Sequence, residues 1–329
     1  MGIRIKGVGS YVPERVLTNA DFEKMVDTSD EWIVTRTGIR ERHIGAPEQA
    51  CSDIAAEAAK AALANTGLAA TDLDMIIVST ISPDMIIPNT AALVQKKIGA
   101  GMCPAFDIEA ACTGLIYGMN IAYGMMSVPM FNYRRVMIIG AEKISTLVDY
   151  TDRSTCVLFG DGASAVILEN DGNPETPDFM VASKLGADGK YGSLLCVPAG
   201  GSAMPASAET VANRLHHIQM QGGKTFQLAV LSMARTCQLV LREADVSLDQ
   251  VRWAIPHQAN ERIIEAVATR LKAEDKVFRN VSRFGNTSSA SIGIALDELN
   301  RTGQLERGDY ILATAFGAGL TWGAALIRW

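Results

Sequence analysis

The stretch Pro104-Ala105-Phe106-Asp107-Ile108-Glu109-Ala110-Ala111-Cys112-Thr113-Gly114 places a cysteine between a strand-like run and a helix-like run. Residues 104–108 have the length and composition of a buried strand. Downstream, apolar side chains recur at helical spacing: Leu115, Met119, Ala122 and Met126. The stretch therefore predicts a buried strand that leads into a helix, with Cys112 at or near the helix N-terminus.

This position favours a reactive Cys112. The helix dipole and the free backbone N–H groups stabilise a thiolate, which is the form of cysteine that attacks. Small neighbours allow a thioester to reach the sulfur, and the same N–H groups can hold the oxyanion that forms. The alternative is a buried structural cysteine, the commoner case for a cysteine considered alone.

Composition limits the class of protein. The chain has 329 residues, 48% of them hydrophobic, which is enough for a large core. A net charge of −6 disfavours nonspecific nucleic-acid binding, so an anionic partner would need a local basic patch. No apolar run approaches the ~20 residues that span a bilayer, and the start lacks a signal-peptide pattern. We expect a cytoplasmic protein with no nucleic-acid or membrane partner.

The six cysteines show no metal or disulfide pattern. They stand at positions 51, 103, 112, 156, 196 and 237, without a Cys-x-x-Cys pair. His216 and His217 are adjacent and lack ligand partners at useful spacing. The sequence predicts reduced thiols and no metal site.

Strands and helices alternate along the chain, which is typical of an α/β fold with parallel pairing. The predicted elements are a helix over 55–63, a strand over 75–78, a helix from about Pro88, and strands over 135–140 and 163–168.

The second half repeats this plan. Residues 73–78 match 248–253, and 159–162 match 316–319. A strand over 276–281 and a helix after Ser289 then correspond to the Cys112 strand and helix. This alignment puts Asn286 opposite Cys112 across a pseudo-two-fold axis.

The chain divides into three parts on this interpretation. Residues 1–170 form a first half that carries the cysteine, and residues 225–329 form a second half. Residues 171–224, rich in Gly, Pro, Ala and Ser, predict a long, partly mobile connection that shapes the site entrance.

His257 follows a predicted strand in Trp253–Asn260, at the strand's carboxyl end, where α/β folds place their sites. Cys112, His257 and Asn286 would then come from equivalent strand ends. A Cys/His pair suits nucleophilic catalysis, and the asparagine could simply orient the histidine, as in cysteine hydrolases. These residues leave both hydrolysis and transfer open.

A helix start at 27–32 leads to Trp32 and Arg36, one turn apart, and a dense set of charges follows over 37–43. A tryptophan beside arginines can stack an adenine and pair phosphates. A surface salt-bridge cluster is the alternative.

Together these motifs resemble the β-ketoacyl-acyl-carrier-protein synthase III family over essentially the whole chain. The matching segments are 27–44, Ala110–Gly114, Gly160–Gly162, Pro256–Asn260, Phe284–Ser288 and Phe316–Trp322. The resemblance implies a thiolase-like α/β fold of two duplicated βαβαβαββ halves in five αβαβα layers, and a homodimer.

The resemblance also implies a decarboxylative Claisen condensation that initiates fatty acid synthesis. Cys112 would take the acyl group of a short acyl-CoA, and malonyl-acyl carrier protein would enter next. His257 and Asn286 would stabilise the enolate, and the backbone N–H groups of Cys112 and Ala318 would form the oxyanion hole. No cofactor is implied, because acyl-CoA is a substrate.

Further site residues follow from the family pattern. The implied CoA-binding residues are Trp32, Arg36, Arg153 and Asn260, the implied acyl-pocket residue is Ile87, and the implied carrier-docking residues are Arg262 and Arg270. The chain departs from some members in having Ala318 for glycine, Gln227 for lysine, Ile87 for an aromatic residue, and a longer segment over 200–215. The choice of acyl starter therefore stays open.

Three alternatives remain at this point. One is a related thiolase-fold acyltransferase that uses a different starter in secondary metabolism. The second is a cysteine hydrolase that cleaves thioesters with Cys112 and His257. The third is a non-catalytic acyl-binding homologue, which the presence of every expected catalytic residue disfavours.

Overall fold

The computed structural model describes residues 2–329. Its strands are Ile3–Tyr11 (β1), Val16–Thr18 (β2), Glu41–His43 (β3), Met75–Ser79 (β4), Ala105–Ile108 (β5), Arg135–Glu142 (β6), Gly162–Asn170 (β7), Met180–Ala187 (β8), Leu195–Cys196 (β9), Gln219–Met220 (β10), Val251–Pro256 (β11), Tyr310–Gly317 (β12) and Thr321–Arg328 (β13). Its α-helices are Asn19–Phe22 (α1), Asp30–Thr37 (α2), Cys51–Thr66 (α3), Thr90–Ile98 (α4), Gly114–Met126 (α5), Arg153–Cys156 (α6), Ala208–Ala212 (α7), Gly222–Ala244 (α8), Glu261–Leu271 (α9), Val281–Phe284 (α10) and Ser291–Arg301 (α11).

The predicted strands and helices of the first half are confirmed, most of them with longer bounds. Strand β5 begins one residue later than predicted and is half-buried throughout, not buried, and α4 begins at Thr90. The first sheet has the order β1-β7-β6-β4-β5, and β4 pairs in parallel with both β5 and β6. All five residues of β4 are buried, which explains its uninterrupted apolar sequence.

Two helices lie between the two sheets. Helix α5 packs on β6 of the first sheet and on β13 of the second, and α11 packs on β1 and β11. Helix α3 covers the outer face of the first sheet, and α8 covers the outer face of the second. The five-layered αβαβα arrangement is confirmed, and its central core includes Ile138, Leu115, Leu296 and Ile311.

The second sheet has the order β11-β12-β13-β8, and its composition corrects the prediction for residues 171–224. Strand β8 lies in that segment and pairs with β13 from Ala187 to Met180. Its half-exposed side chains give a weak apolar pattern, which is why the sequence indicated only a connection. Part of the segment therefore belongs to the sheet of the second half.

The strand predicted over 276–281 was wrong. Only one residue pair, Ala254 and Val277, forms a bridge there, and a short helix begins at Val281. The Gln258 side-chain oxygen accepts the N–H groups of Asn280 at 2.9 Å and Val281 at 3.2 Å. This side chain takes the donors that a strand ladder would have used.

The two halves nevertheless match closely at the site. A 3₁₀ turn, Ala111–Thr113, precedes α5, and a 3₁₀ turn, Ser288–Ala290, precedes α11. Each turn opens with a residue at positive φ, 45° at Ala111 and 49° at Ser288. The structural counterpart of Cys112 is therefore Ser289, and Asn286 lies three residues earlier in the chain.

Among the helices within residues 2–329, none is long and apolar enough to cross a membrane. The longest, α8, has 23 residues and one buried face.

Candidate active site

A cavity of about 1270 Å³ lies between the two halves, and Cys112, His257 and Asn286 all line it. The sequence predicted that these three side chains would meet, and the fold brings them to one chamber. They come from the turn before α5, the end of β11 and the loop before α11.

Close packing fixes the backbone around Cys112. A Cβ atom at Gly114 would lie 1.6 Å from Ser79 Oγ, so the first residue of α5 has to be glycine. A Cβ atom at Gly317 would lie 2.8 Å from the backbone nitrogen of Cys112. The turn after β12 therefore sits directly against the nucleophile candidate.

The ionisation of Cys112 differs from the prediction. The residue opens partly into the cavity, yet burial dominates and raises the pKa of its thiol to about 12. The Ser288 hydroxyl and a backbone N–H act in the opposite direction but with less effect. A helix dipole contributes roughly 0.3–1 kcal/mol, whereas full burial can shift a pKa by several units. The resting residue is therefore a neutral thiol.

His257 is held in place through its backbone N–H and through its ring. Its backbone N–H donates to the Thr314 carbonyl at 2.7 Å, and its Nδ1 lies 2.7 Å from Ser291 Oγ. Burial lowers the pKa of His257 to about 3, so the imidazole is neutral at neutral pH. Because Nδ1 is occupied, Nε2 is the ring nitrogen left for the cavity.

Asn286 is fixed through its backbone and through one side-chain oxygen. Its N–H donates to the Leu158 carbonyl at 2.8 Å, and its carbonyl accepts from the Gly160 N–H at 3.1 Å. Its Oδ1 accepts the Ser288 N–H at 2.9 Å, which sets the orientation of the amide. The side-chain amide nitrogen of Asn286 has no hydrogen-bond partner among residues 2–329 and remains able to donate to a ligand.

Ala318 lies in the turn between β12 and β13 and lines the cavity. The Ala318 carbonyl accepts from the Thr321 hydroxyl at 3.1 Å. This hydrogen bond does not use the Ala318 N–H. The closeness of this turn to the Cys112 nitrogen is compatible with an oxyanion hole formed by both N–H groups. That role stays a prediction.

Three of the predicted CoA-binding residues form one cluster. The Arg36 and Arg153 guanidinium carbons lie 4.9 Å and 4.8 Å from the centre of the Trp32 ring. Asn260 donates to the Arg36 carbonyl at 3.1 Å and caps α9 by accepting from Arg262 N–H at 2.8 Å. Trp32, Arg36 and Asn260 line the cavity, so the cluster stands at its mouth.

Arg262 and Arg270 are both exposed on α9, as the docking prediction requires. The acidic residues of this helix are paired elsewhere, because Arg279 binds Glu261 at 2.8 Å and Glu265 at 2.7 Å. The helix surface therefore presents uncompensated positive charge next to the cavity. Gln227, which stands where some relatives have lysine, lines the cavity as well.

Ile87 does not line the cavity of its own chain. Its side chain is 83% exposed, whereas the adjacent Met85 and Ile86 reach the cavity wall. The predicted contribution of Ile87 to an acyl pocket depends on a second copy of the chain. That part stays a prediction.

Sequence reasoning missed two sets of residues. The first is an apolar wall contributed largely by the supposed connection, made of Leu195, Val197, Ile218, Met220 and Phe226. The second is the set of buried polar partners, Ser288, Ser291 and Glu142, which no spacing pattern connects with Cys112 or His257. The apolar residues within 171–224 were the available signal for the first set, and none existed for the second.

In the range 2–329, no group of three or more His, Cys, Asp or Glu side chains is arranged to hold a metal ion. His216, one half of the adjacent pair, bonds instead to Thr210 Oγ1 at 2.9 Å.

Comparison with known proteins identifies the family. Residues 106–189 match the profile of 3-oxoacyl-[acyl-carrier-protein (ACP)] synthase III, and residues 241–329 match the profile of its C-terminal part.

A beta-ketoacyl-[acyl-carrier-protein] synthase III of Caldanaerobacter subterraneus subsp. tengcongensis is 52% identical over 326 residues, which cover 99% of this chain and 97% of that protein. The corresponding protein of Chlamydia pneumoniae is 48% identical over 98% of this chain and 96% of its own. The crystal structure of 3-oxoacyl-[acyl-carrier-protein] synthase III from Aquifex aeolicus VF5 superimposes with a TM-score of 0.90 at 46% identity, over the whole of both chains. The chain belongs to the 3-oxoacyl-[acyl-carrier-protein] synthase III family.

Proposed function

We propose that this enzyme condenses a short acyl-CoA with malonyl-acyl carrier protein, giving a 3-oxoacyl-acyl carrier protein, CO2 and CoA. The observation that carries the proposal is the meeting of Cys112, His257 and Asn286 in one cavity whose mouth holds the Trp32 and Arg36 cluster. The reaction initiates fatty acid synthesis and needs no cofactor beyond its substrates.

The first step is acylation of Cys112. The sulfur attacks the acyl-CoA carbonyl, the carbon–sulfur bond to CoA breaks, and the thiol proton leaves with the CoA sulfur. Because burial raises the pKa of the thiol, its proton has to be transferred as the sulfur attacks, and the departing CoA sulfur is the group that takes it up. The backbone N–H groups of Cys112 and Ala318 stabilise the oxyanion.

The second step is loss of CO2 from the malonyl group. His257 Nε2–H and the Asn286 amide donate to the malonyl thioester carbonyl, which becomes the enolate oxygen. For this tautomer the Ser291 hydroxyl donates to Nδ1 of His257. Both donors are neutral, and a carboxylate at position 286 would oppose the developing negative charge.

In the last step the enolate carbon attacks the acyl-Cys112 carbonyl. The new carbon–carbon bond forms, the bond to the cysteine sulfur breaks, and Cys112 recovers a proton. The product leaves on the carrier protein.

The surfaces support the proposed partners. Trp32, Arg36 and Arg153 offer a ring and two guanidinium groups to the adenine and phosphates of CoA. Arg262 and Arg270 supply local positive charge to an acidic carrier protein, although the whole chain carries −6.

We also propose a cytoplasmic homodimer. The exposed side chains of Ile86 and Ile87, at 86% and 83%, lie beside the cavity wall, and a second copy would cover them. Strand β5 is an edge of the first sheet with half-buried side chains throughout, which suits pairing across a two-fold axis.

Intact-mass spectrometry tests the function. The protein and its Cys112→Ser variant are exposed to a panel of acyl-CoAs, and malonyl-carrier protein is then added. We expect one adduct, absent in the variant, that is discharged as a 3-oxoacyl product only with the malonyl partner. An adduct lost to water regardless of the partner would favour a hydrolase, and no adduct at all would favour a non-catalytic homologue. A starter from secondary metabolism is the less supported alternative, and the mass of the adduct would reveal it.

A further inference from the structure

A fully buried glutamate lies beside the proposed nucleophile. Glu142 ends strand β6, has no exposed surface, and its Oε1 lies 2.9 Å from Ser289 Oγ. Ser289 belongs to the turn Ser288–Ala290, which packs against the turn Ala111–Thr113 that holds Cys112, and a charge on Glu142 would raise the pKa of that thiol. The Ser288 hydroxyl contacts both groups, although neither contact has the geometry of a full hydrogen bond. The catalytic scheme above gives Glu142 no role.

No cation balances this carboxyl. Among the ion pairs of residues 2–329, none involves Glu142. The neighbouring Lys143 turns its ammonium group toward backbone carbonyls, including that of Ala46 at 2.8 Å. The other titratable groups facing Glu142 are the thiols of Cys51 and Cys112, which carry no positive charge. An ionised carboxylate here would be unpaired in the core, which is strongly unfavourable.

The hydrogen bonds around the carboxyl are compatible with a proton on it. Oε2 accepts from the Ile81 N–H at 3.1 Å, from the Ser82 hydroxyl at 2.7 Å and from the Thr80 hydroxyl at 3.3 Å. Oε1 lies 2.9 Å from Ser289 Oγ, which also lies 3.0 Å from the Ser79 carbonyl oxygen. A single hydroxyl proton cannot serve two acceptors. When Ser289 donates to the carbonyl, a protonated Oε1 completes the second bond by donating to Ser289.

Asp161 shows the contrasting pattern. It is equally buried, but it receives the Gly45 N–H at 2.7 Å, the Ser145 N–H at 2.9 Å and the Ser145 hydroxyl at 2.6 Å. Each of these neighbours can donate at the same time, so the contacts are satisfied by a carboxylate. Burial raises the pKa of both carboxyls, so burial does not distinguish Glu142, whereas its shared hydroxyl does.

We propose that Glu142 stands beside Cys112 as a neutral carboxylic acid, a positioning residue that keeps this side of the site uncharged while anions form. The thiolate, the tetrahedral oxyanion and the enolate all carry negative charge, and an ionised neighbour would oppose each of them. Burial raises the pKa of Glu142 and outweighs the hydrogen bonds from Ser82, Ile81 and Ser289, which act in the opposite direction. The inference rests on the proposed role of Cys112 as nucleophile.

Infrared difference spectroscopy tests the protonation directly. At neutral pH the wild type should show the carbonyl stretch of a protonated carboxylic acid, and Glu142→Gln should lack it. The matched control is Glu169→Gln, because Glu169 pairs with Arg4 at 2.9 Å and with Lys6 at 3.2 Å, and its pKa is lowered to about 2. This control should leave the band in place. A wild-type spectrum without the band overturns the proposal.

Acylation kinetics test the consequence. Glutamine imitates the neutral acid, so E142Q should acylate within about threefold of wild type at pH 7. As the pH is raised and Glu142 ionises, E142Q should acylate faster than the wild type. A loss of more than about tenfold at pH 7 in folded E142Q, or coincident rates at high pH, would reject the electrostatic role. If the wild type itself formed no adduct at Cys112, the proposed function would fail while the infrared result on Glu142 still stood.

Discussion

Replacing Asn286 with aspartate should separate the two halves of the reaction. The Ser288 N–H holds Oδ1 of Asn286 at 2.9 Å, so an aspartate oxygen would occupy the same place. The second carboxylate oxygen would then stand where the amide nitrogen now stands, aimed at the enolate position. Asn286 is only 7% exposed, so solvent would screen the new charge weakly.

Two effects add in the condensation step. Loss of one donor to a developing oxyanion costs about 10²–10³ in rate. A carboxylate about 4 Å from the enolate oxygen, at an effective dielectric constant of about 20, adds about 4 kcal/mol, or roughly 10³. Condensation should fall by about 10⁵, whereas acylation of Cys112, which does not use the amide, should fall less than about tenfold.

Single-turnover assays would follow the acyl-enzyme by intact mass and the 3-oxoacyl-carrier product separately. Asn286→Ala is the matched control, because it removes the donor without adding charge and should show only the loss of about 10²–10³. Lowering the pH should partly restore N286D, since a protonated aspartate can donate again. Condensation in N286D within tenfold of wild type, or an equal loss in both steps, would refute the assignment of Asn286.

Three further predictions concern the surfaces and the buried imidazole. Arg262→Glu should raise the KM for malonyl-carrier protein about tenfold while leaving acylation by acyl-CoA nearly unchanged. The control is Arg252→Glu, which should change neither, because Arg252 is an exposed residue of β11 outside the cavity. Equal losses with both substrates would contradict docking of the carrier protein at Arg262. Trp32→Ala should raise the KM for acyl-CoA about tenfold with little change in kcat, because it removes the ring that two guanidinium groups contact. An unchanged KM for acyl-CoA would argue against a CoA site at Trp32. Burial lowers the pKa of His257 to about 3 in the folded protein. Below about pH 6.5 the unfolded chain therefore binds a proton at this histidine that the folded chain does not bind. The free energy of unfolding should fall as the pH drops from about 6.5 toward 3. Denaturant unfolding should show the wild type losing about 2–3 kcal/mol more than His257→Asn between pH 6.5 and 4.5, and parallel losses would mean that the imidazole is not buried in neutral form.

The sequence predicted much of the fold because its signals are local. The all-apolar strand Met75–Ser79 and the helices of the first half follow from hydrophobic periodicity, which reports whether a segment is buried. Strand β8 escaped because its half-exposed side chains blur that pattern. The strand predicted over 276–281 is reduced to one bridge beside Ala254, because the N–H groups of Asn280 and Val281 donate to Gln258. Hydrophobic periodicity does not report which other segment supplies the hydrogen-bond partners of the backbone.

The sequence by itself was enough to propose Cys112, His257 and Asn286 as the residues that carry the chemistry, because the motifs around them are short and continuous. Only the tertiary structure decided their ionisation states and orientations. Burial in the assembled cavity raises the pKa of Cys112 to about 12 and overrides the helix N-terminus that the sequence emphasised. Ser291 reaches the ring of His257 from 34 residues away. Desolvation and hydrogen bonding depend on which distant segments come within a few ångströms, and no local pattern records that distance.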